Sequence, residues 1–474
     1  MSQVAGTLAR KTRTSKVLWI PLAWLFIACS RPVSFWFNAA PRGDSTDRYL
    51  EGSPFDRNVF TALIVTALVV LVMRRQRVGS LLRANWPIIL FLLYCGLSIF
   101  WSDFPDVAFK RWIKAVGDIA MVLVVLSDPR LSAAVKTFLA RAGFLIIPLS
   151  ILFDIGRAFS GLGYRYGLAT NKNTFGMVSM IMGLGAVWRF LAILPERRCE
   201  HRTRQLMAHG SIALMAMWCL WIANSATSAA CFLLGSMLTV ITSRWSFVRK
   251  PIVLHLVVVS LVFVALYATI LNPNIGIVST MGKDPTLTGR TDVWQAVIPM
   301  TPSRWFGAGF ESFWLGARLV KIWSIFPWHP NEAHNGYIEI YLNLGWTGII
   351  LLAVVMVAGY RKVISGLREG TNASSLWLAY FVAAVVYNLT EAGLRIFNPV
   401  WIFFLAAIIV VPKACPPHAA RRRQTGSTQL WPQSATRAQA AARADSIAVR
   451  VKAPGTTPDS NARHQAQFSS EQTG

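Results

Sequence analysis

Charge is what this sequence lacks most. Asp, Glu, Lys and Arg make up 14% of its 474 residues and hydrophobic residues 54%, whereas soluble domains carry about a quarter charged residues. With a mean hydropathy of +0.45, a soluble globular fold is excluded and the chain reads as a polytopic membrane protein. Acidic residues are scarcest: 21 Asp and Glu stand against 47 Lys and Arg, a formal charge of +26. In a soluble chain that excess would point to nucleic acid. Here the basic residues fall in short runs between hydrophobic segments, so no nucleic-acid partner is expected and membrane lipids are. Cysteine is sparse as well. Cys29, Cys95, Cys199, Cys219, Cys231 and Cys415 lie in apolar runs or basic loops, at no spacing that fits a metal site or a disulfide framework, and they read as packing residues. No small-residue cleavage pattern follows the basic start at Arg10, Lys11, Arg13 and Lys16, so the first apolar segment is retained as a span. No internal repeat is present to suggest a transporter built from two similar halves.

A spanning helix needs roughly 20 predominantly apolar residues. On that rule the fold class is all-α, a polytopic membrane protein with about 12 transmembrane helices. They fall near residues 17–36, 58–73, 85–102, 112–127, 136–153, 174–193, 208–223, 226–243, 251–270, 336–359, 376–391 and 394–412. Two adjacent pairs are separated only by Asn224 to Ser228 and by Glu391 to Asn398, so each is a tight hairpin or a broken helix. The runs at Arg74-Arg75-Gln76-Arg77, Arg197-Arg198, Arg249-Lys250 and Arg361-Lys362 share one side with the basic N-terminus, which makes that side the cytoplasm. The domain plan is therefore a cytoplasmic N-terminus (1–16), a transmembrane domain (17–412) and a basic tail (413–474). The tail, rich in Ala, Arg, Gln, Ser and Thr, is predicted to be disordered and cytoplasmic, so both termini are expected inside.

One outer loop, about 272–333, is much longer than the others and is predicted to hold short helices. Thr291-Asp292 can open a helix through Val297, and Phe313 to Ile325 has residues spaced to lie on an interface. The loop carries Lys283, Arg290, Asp292, Glu311, Arg318, His329, Glu332 and His334, and Glu339 follows within a turn of the next span. For Lys283, Arg318 and Glu332, solvation on an outer loop is reason enough. Arg290 sits in Leu287-Thr288-Gly289-Arg290-Thr291-Asp292, where Gly289 allows close backbone approach and a guanidinium can fork onto a phosphate. His334 precedes Asn335-Gly336-Tyr337 at the mouth of a span. An imidazole there can exchange a proton at neutral pH, while Asn335 orients a substrate or the ring. His329, Glu332 and His334 do not match a zinc-ligand spacing, so no metal is expected. Lys172, at the entrance to the span beginning near Thr174, and Arg31, Lys110, Arg111 and Lys114 also lie near the outer boundary. Such cations either snorkel to headgroups or line a basic bowl suited to a lipid diphosphate. Gly307-Ala308-Gly309 reads as an architectural turn.

Several of these patterns occur together in a known order. Ser30-Arg31-Pro32, Gly52-Ser53-Pro54-Phe55-Asp56-Arg57, Trp101-Ser102-Asp103-Phe104-Pro105, Leu389-Thr390-Glu391-Ala392 and above all Ala333-His334-Asn335-Gly336-Tyr337 with Glu339, Gly345 and Gly348 resemble the bacterial O-antigen ligase and polysaccharide polymerase superfamily, the Wzy/WaaL/ExoQ group. The resemblance covers about residues 15 to 412. It implies a multi-pass protein of the bacterial inner membrane that transfers glycan on the periplasmic face, without metal or cofactor, from an undecaprenyl-diphosphate-linked donor to a glycan or lipid acceptor. It also implies a chain-length regulator or flippase as further partners. The family's periplasmic-loop histidine falls on His334 and its diphosphate-binding arginine on Arg290, giving these two as catalytic residues. Lys172, Asn335, Glu339 and Arg31 are the expected substrate-binding residues. Two positions depart from the pattern: Ala226 stands where a second basic residue is usual, and Asn171-Lys172-Asn173 stands where His-Lys-Asn is usual. Lys172 is the expected replacement for the missing charge. The exopolysaccharide branch favours a polymerase of lipid-linked repeat units; a ligase acting on lipid A-core shares the donor chemistry, and a non-catalytic lipid-glycan transporter is the alternative from another class.

Overall fold

The computed structural model describes residues 15–37, 52–160, 166–196, 200–245, 247, 250–266, 288–370 and 373–409. Among these the chain is helical, with no strand, which is how a backbone in lipid satisfies its own polar groups. In order, the helices are α1 (Trp19–Cys29), α2 (Pro54–Met73), α3 (Arg75–Ala84), α4 (Trp86–Leu97), α5 (Pro105–Leu126), α6 (Leu131–Phe159), α7 (Lys172–Ile193), α8 (Glu200–Ala223), α9 (Ala226–Arg244), α10 (Pro251–Leu266), α11 (Thr288–Val297), α12 (Gly316–Ile325), α13 (Gly336–Arg368), α14 (Ser374–Tyr387) and α15 (Pro399–Ile408). The N-terminal residues 1–14, Lys283 and the tail 413–474 lie outside the described residues.

Every predicted span carries a helix, but length divides them. Six, α2, α6, α7, α8, α9 and α13, are long and apolar enough to cross a membrane, and α3 with α4, bent by 86°, forms a seventh if taken as one span. Helices α1, α10, α14 and α15 are apolar but shorter, and α5 carries Asp106, Lys110, Arg111, Lys114 and Asp118 along its length. Three boundaries differ from expectation. The first helix ends at Cys29 and only a turn, Val33–Trp36, follows, because Pro32 disfavours helical backbone at Arg31. The last span begins at Pro399, with the Asn398 side chain accepting from the Val400 amide as its cap. Between Tyr387 and Pro399 the chain is not helical, so Glu391 and Arg395 sit in a break between two apolar helices.

Of the six long spans, α7 is the most enclosed, with 72% of its apolar window buried, packed against α6, α8, α9, α14 and α15. The long loop is sewn into α13 at a kink. Gly345 adopts φ 65°, and a side chain there would collide with the Trp305 backbone. The groups freed by that kink are taken up by the loop: the Ala308 and Gly309 amides donate to the Leu342 and Asn343 carbonyls at 3.0 and 2.9 Å, and the Trp346 amide donates to the Arg304 carbonyl at 2.9 Å. Exchange of helix bonds for loop bonds makes irregular backbone tolerable there. The break before α15 has its own strut. Asp118 of α5, fully buried, accepts from the Phe397 amide and the Trp24 indole, both at 2.8 Å. Cys29, Cys95, Cys219 and Cys231 are buried and unpaired, in keeping with a packing role.

Candidate functional site

Helix α13 starts where it does because Asn335 caps it. Its side-chain oxygen accepts from the Tyr337 and Ile338 amides at 3.0 and 3.1 Å, and its amide group donates to the Leu389 carbonyl at 2.9 Å. The next residue, Gly336, donates to the Asn388 and Glu391 carbonyls at 2.9 and 3.1 Å, and a Cβ at that position would fall 2.0 Å from the Asn388 side chain. The start of α13 and the break after α14 are therefore held backbone to backbone. His334 immediately precedes this junction with φ 51°, a left-handed turn that histidine tolerates better than most residues. This turn brings its ring to Glu391.

Glu391 is the centre on which three other stretches converge. His334 Nδ1 lies 3.4 Å from one carboxylate oxygen, Arg290 Nη2 of α11 lies 2.8 Å from the other, and the Asn173 side chain of α7 donates to both at 3.2 and 3.3 Å. Arg290 also donates to the Thr390 carbonyl. The Glu391 side chain is 6% exposed while those of His334 and Arg290 are 21% and 26%, so the carboxylate forms the floor and the two bases form the rim. Burial draws the His334 pKa down, but the hydrogen bond it donates to Glu391 and the charges of Glu332 and Glu391 outweigh it, and the net shift is upward. Burial pushes Glu391 up, yet His334 and Arg290 together hold it below its ordinary value. Both shifts describe a carboxylate and an imidazolium that favour each other's charged forms.

A second cluster adjoins the first through Glu332, whose carboxylate meets His334 Nδ1 at 3.1 Å and Arg395 Nη1 at 3.3 Å. Arg395 also pairs with Glu311 at 3.2 Å, and Arg111 of α5 donates to the Glu311 carbonyl. Beneath it, Glu339 is 1% exposed and accepts from the Trp314 indole at 3.1 and 3.0 Å and from the Ala333 amide. Glu339 thus ties the loop to α13.

The structure brings together the two expected catalytic residues, Arg290 and His334, although 44 positions separate them in the sequence. The expected binding residues fare differently. Asn335 and Glu339 are committed to capping and to the loop. Lys172 is exposed at the first position of α7, and the neighbour that reaches the site is Asn173. Arg31 is half-buried after α1, and among the described residues no hydrogen bond or ion pair joins it to the cluster. Arg290 lies inside α11, which opens at Thr288 and not at Thr291-Asp292, and Gly289 faces open space with nothing close to it. Sequence reasoning missed Glu391, Arg395 and Asn173. The available signal was an acid and a base between two apolar helices, an expensive placement that usually has a partner.

As to a metal, Glu332, His334 and Glu391 each place a ligand atom within 4.8 Å of the others. Each of these carboxylates already gives one oxygen to an arginine and the other to the imidazole, so their charge is balanced by the side chains present. His329 takes no part; its ring stacks on Trp323 at 4.6 Å.

Residues 211–353 match the family model described as O-antigen ligase, a stretch that includes Arg290, His334 and Glu339 and stops short of Glu391. The chain is also similar to the exopolysaccharide production protein ExoQ of Rhizobium meliloti, with 25% identity over 384 residues covering 77% of this chain and 83% of that protein.

Proposed function

Starting from the match to the O-antigen ligase family model and the similarity to ExoQ, we propose that this multi-pass membrane protein is a glycosyltransferase of the O-antigen ligase and polysaccharide polymerase superfamily. It polymerises undecaprenyl-diphosphate-linked repeat units for an exopolysaccharide at the periplasmic face of the inner membrane. The observation that carries this reading is the shared carboxylate: a loop arginine and a helix-mouth histidine end on Glu391 at one rim. In the reaction an acceptor hydroxyl attacks the anomeric carbon, the bond from that carbon to the lipid diphosphate breaks, and the hydroxyl proton passes to His334. Charge grows on the departing diphosphate, where a fixed guanidinium at Arg290 stabilises it most. The proton that His334 holds at rest must leave first, so the rate rises as pH rises through its elevated pKa.

The ionisable groups also bear on the transporter alternative. Asp118, the deeply buried acid of α5, is engaged by Trp24 and Phe397, so it acts as a strut and not as a carrier of protons along a path. A ligase remains the second reading because the matched family model bears that description. A deletion strain separates the two: single repeat units attached normally identify a polymerase, whereas free lipid-linked polymer identifies a ligase. Complementation with His334→Ala or Arg290→Ala is expected to lower glycan output by about 100-fold or more at unchanged protein level. Normal glycan from both variants would overturn the assignment.

A further inference from the structure

Besides the base and the cation, transfer needs a surface that holds the acceptor sugar, and the long loop offers one beside His334. Trp328 is 50% exposed, and its indole lies 6.2 Å from the His334 ring at an interplanar angle of 29°. Phe326 supports it from another side at 6.1 Å. Three other indoles around this loop are engaged: Trp294 donates to the Ala333 carbonyl at 2.6 Å, Trp323 to the Pro330 carbonyl at 3.0 Å, and Trp314 to Glu339. Among the described residues, no acceptor meets the Trp328 N–H. An open aromatic face with a free donor at its edge, fixed beside an imidazole, is more than an aromatic residue resting at a lipid boundary. Trp305, 61% exposed and followed by Phe306, which packs on Trp101, is the boundary residue for comparison.

We propose that Trp328 forms the acceptor-sugar subsite, with a pyranose ring stacked on the open indole face and one of its hydroxyls presented to His334. The apolar C–H face of a pyranose matches the electron-rich face of indole, and the indole N–H meets a ring-edge hydroxyl. Such a platform fixes orientation more than charge, so it governs acceptor binding. This inference rests on the glycosyl-transfer reading above and holds for either a glycan or a lipid A-core acceptor, since both present a sugar hydroxyl.

The full chain, labelled with 5-fluorotryptophan and placed in lipid nanodiscs, gives a fluorine resonance for Trp328, identified as the signal missing from Trp328→Phe. Titration with the repeat-unit oligosaccharide released by mild acid from the host's lipid-linked intermediate is expected to shift that signal saturably and leave the Trp305 signal in place. In turnover assays Trp328→Ala should raise the acceptor KM about tenfold with kcat and the donor KM little changed, and Trp328→Phe should fall between it and the parent. A Trp328 signal that does not move, or an effect on the donor KM or on kcat alone, overturns the subsite. His334→Ala keeps the two readings apart. If it abolishes transfer while Trp328 proves silent, the subsite alone fails; if it transfers normally while the Trp328 signal shifts, the catalytic reading fails and the sugar site stands.

Discussion

The two ionic clusters at the loop-bearing end use the same residue types in opposite proportions. Around Glu391, two bases, Arg290 and His334, share one buried carboxylate. Around Arg395, two carboxylates, Glu311 and Glu332, share one guanidinium. The two arginines are almost equally exposed, at 26% and 25% of their side chains, so exposure does not distinguish them. The ratio of charges does. Arg290 is met by one acid and lies at the rim, so its guanidinium can still turn to an anion such as a lipid diphosphate, whereas Arg395, already met by two acids, is saturated and serves to fasten the loop to the helices. Glu332 belongs to both, so the fastening sets the position of the chemistry.

Removing the charge at the centre of the first cluster should have the largest effect. Glu391→Gln keeps the shape but takes from Arg290 its carboxylate partner and leaves His334 with Glu332 as the neighbouring counter-charge. Transfer is expected to fall about 100-fold through lost positioning. The pH profile gives the specific signature. In the parent, the upward shift of His334 places the acidic limb of the rate above pH 6.5; without the Glu391 charge and hydrogen bond, Glu332 is left to oppose burial and Arg290, and the limb moves to lower pH. Stability runs the other way. A raised imidazole contributes fully below about 6.5 and loses that contribution as pH rises through its folded pKa, while Glu391, held low, contributes above about 4.5 and loses it as pH falls through its folded pKa. The junction is therefore tightest between these two limits, slightly acid of the pH at which the base works best. An unshifted limb in Glu391→Gln would show that the pair does not set the basicity of His334.

The second cluster should respond in stability and not in chemistry. Glu311→Gln leaves Arg395 with Glu332 alone, and the loss is expected to be about 2 kcal/mol, below the figure for a fully enclosed pair because Arg395 retains some solvent. A lowered melting temperature with unchanged turnover per folded molecule would bear out the contrast, and a turnover loss as large as that of Glu391→Gln would erase it.

How far the sequence reveals this arrangement depends on the range of the force involved. Helices follow from local apolar runs, and the caps at Asn335 and Asn398 follow from residue type, so the helical framework was legible. Arg290 and His334 were legible because each stands in a distinctive local string. Glu391 and Arg395 were not, since their meaning comes from partners 101 and 84 positions away, and no periodicity within one chain encodes such a pairing. Asn335 and Glu339 show the converse case: polar residues at a helix mouth look ready for substrate, and in the structure the same groups cap a helix end and dock the loop.

The smallest effect is expected where the resemblance and the packing pull apart. Lys172 stands one turn before Gly176, which packs on Ser225 and Ser228 beside Ala226, so it enters the corner from which the usual second cation is absent. Its side chain is nevertheless exposed, and the α7 residue that reaches Glu391 is Asn173. Lys172→Ala should therefore change glycan output less than about twofold, in the range of an ordinary surface substitution. Asn173→Ala, which removes a hydrogen-bond donor from a buried carboxylate, should lower it about fivefold. The two variants compared in the complemented deletion strain decide the matter. A loss in Lys172→Ala as deep as that in His334→Ala would mean that the lysine supplies the missing charge and that the diphosphate is held from α7 as well as from the loop.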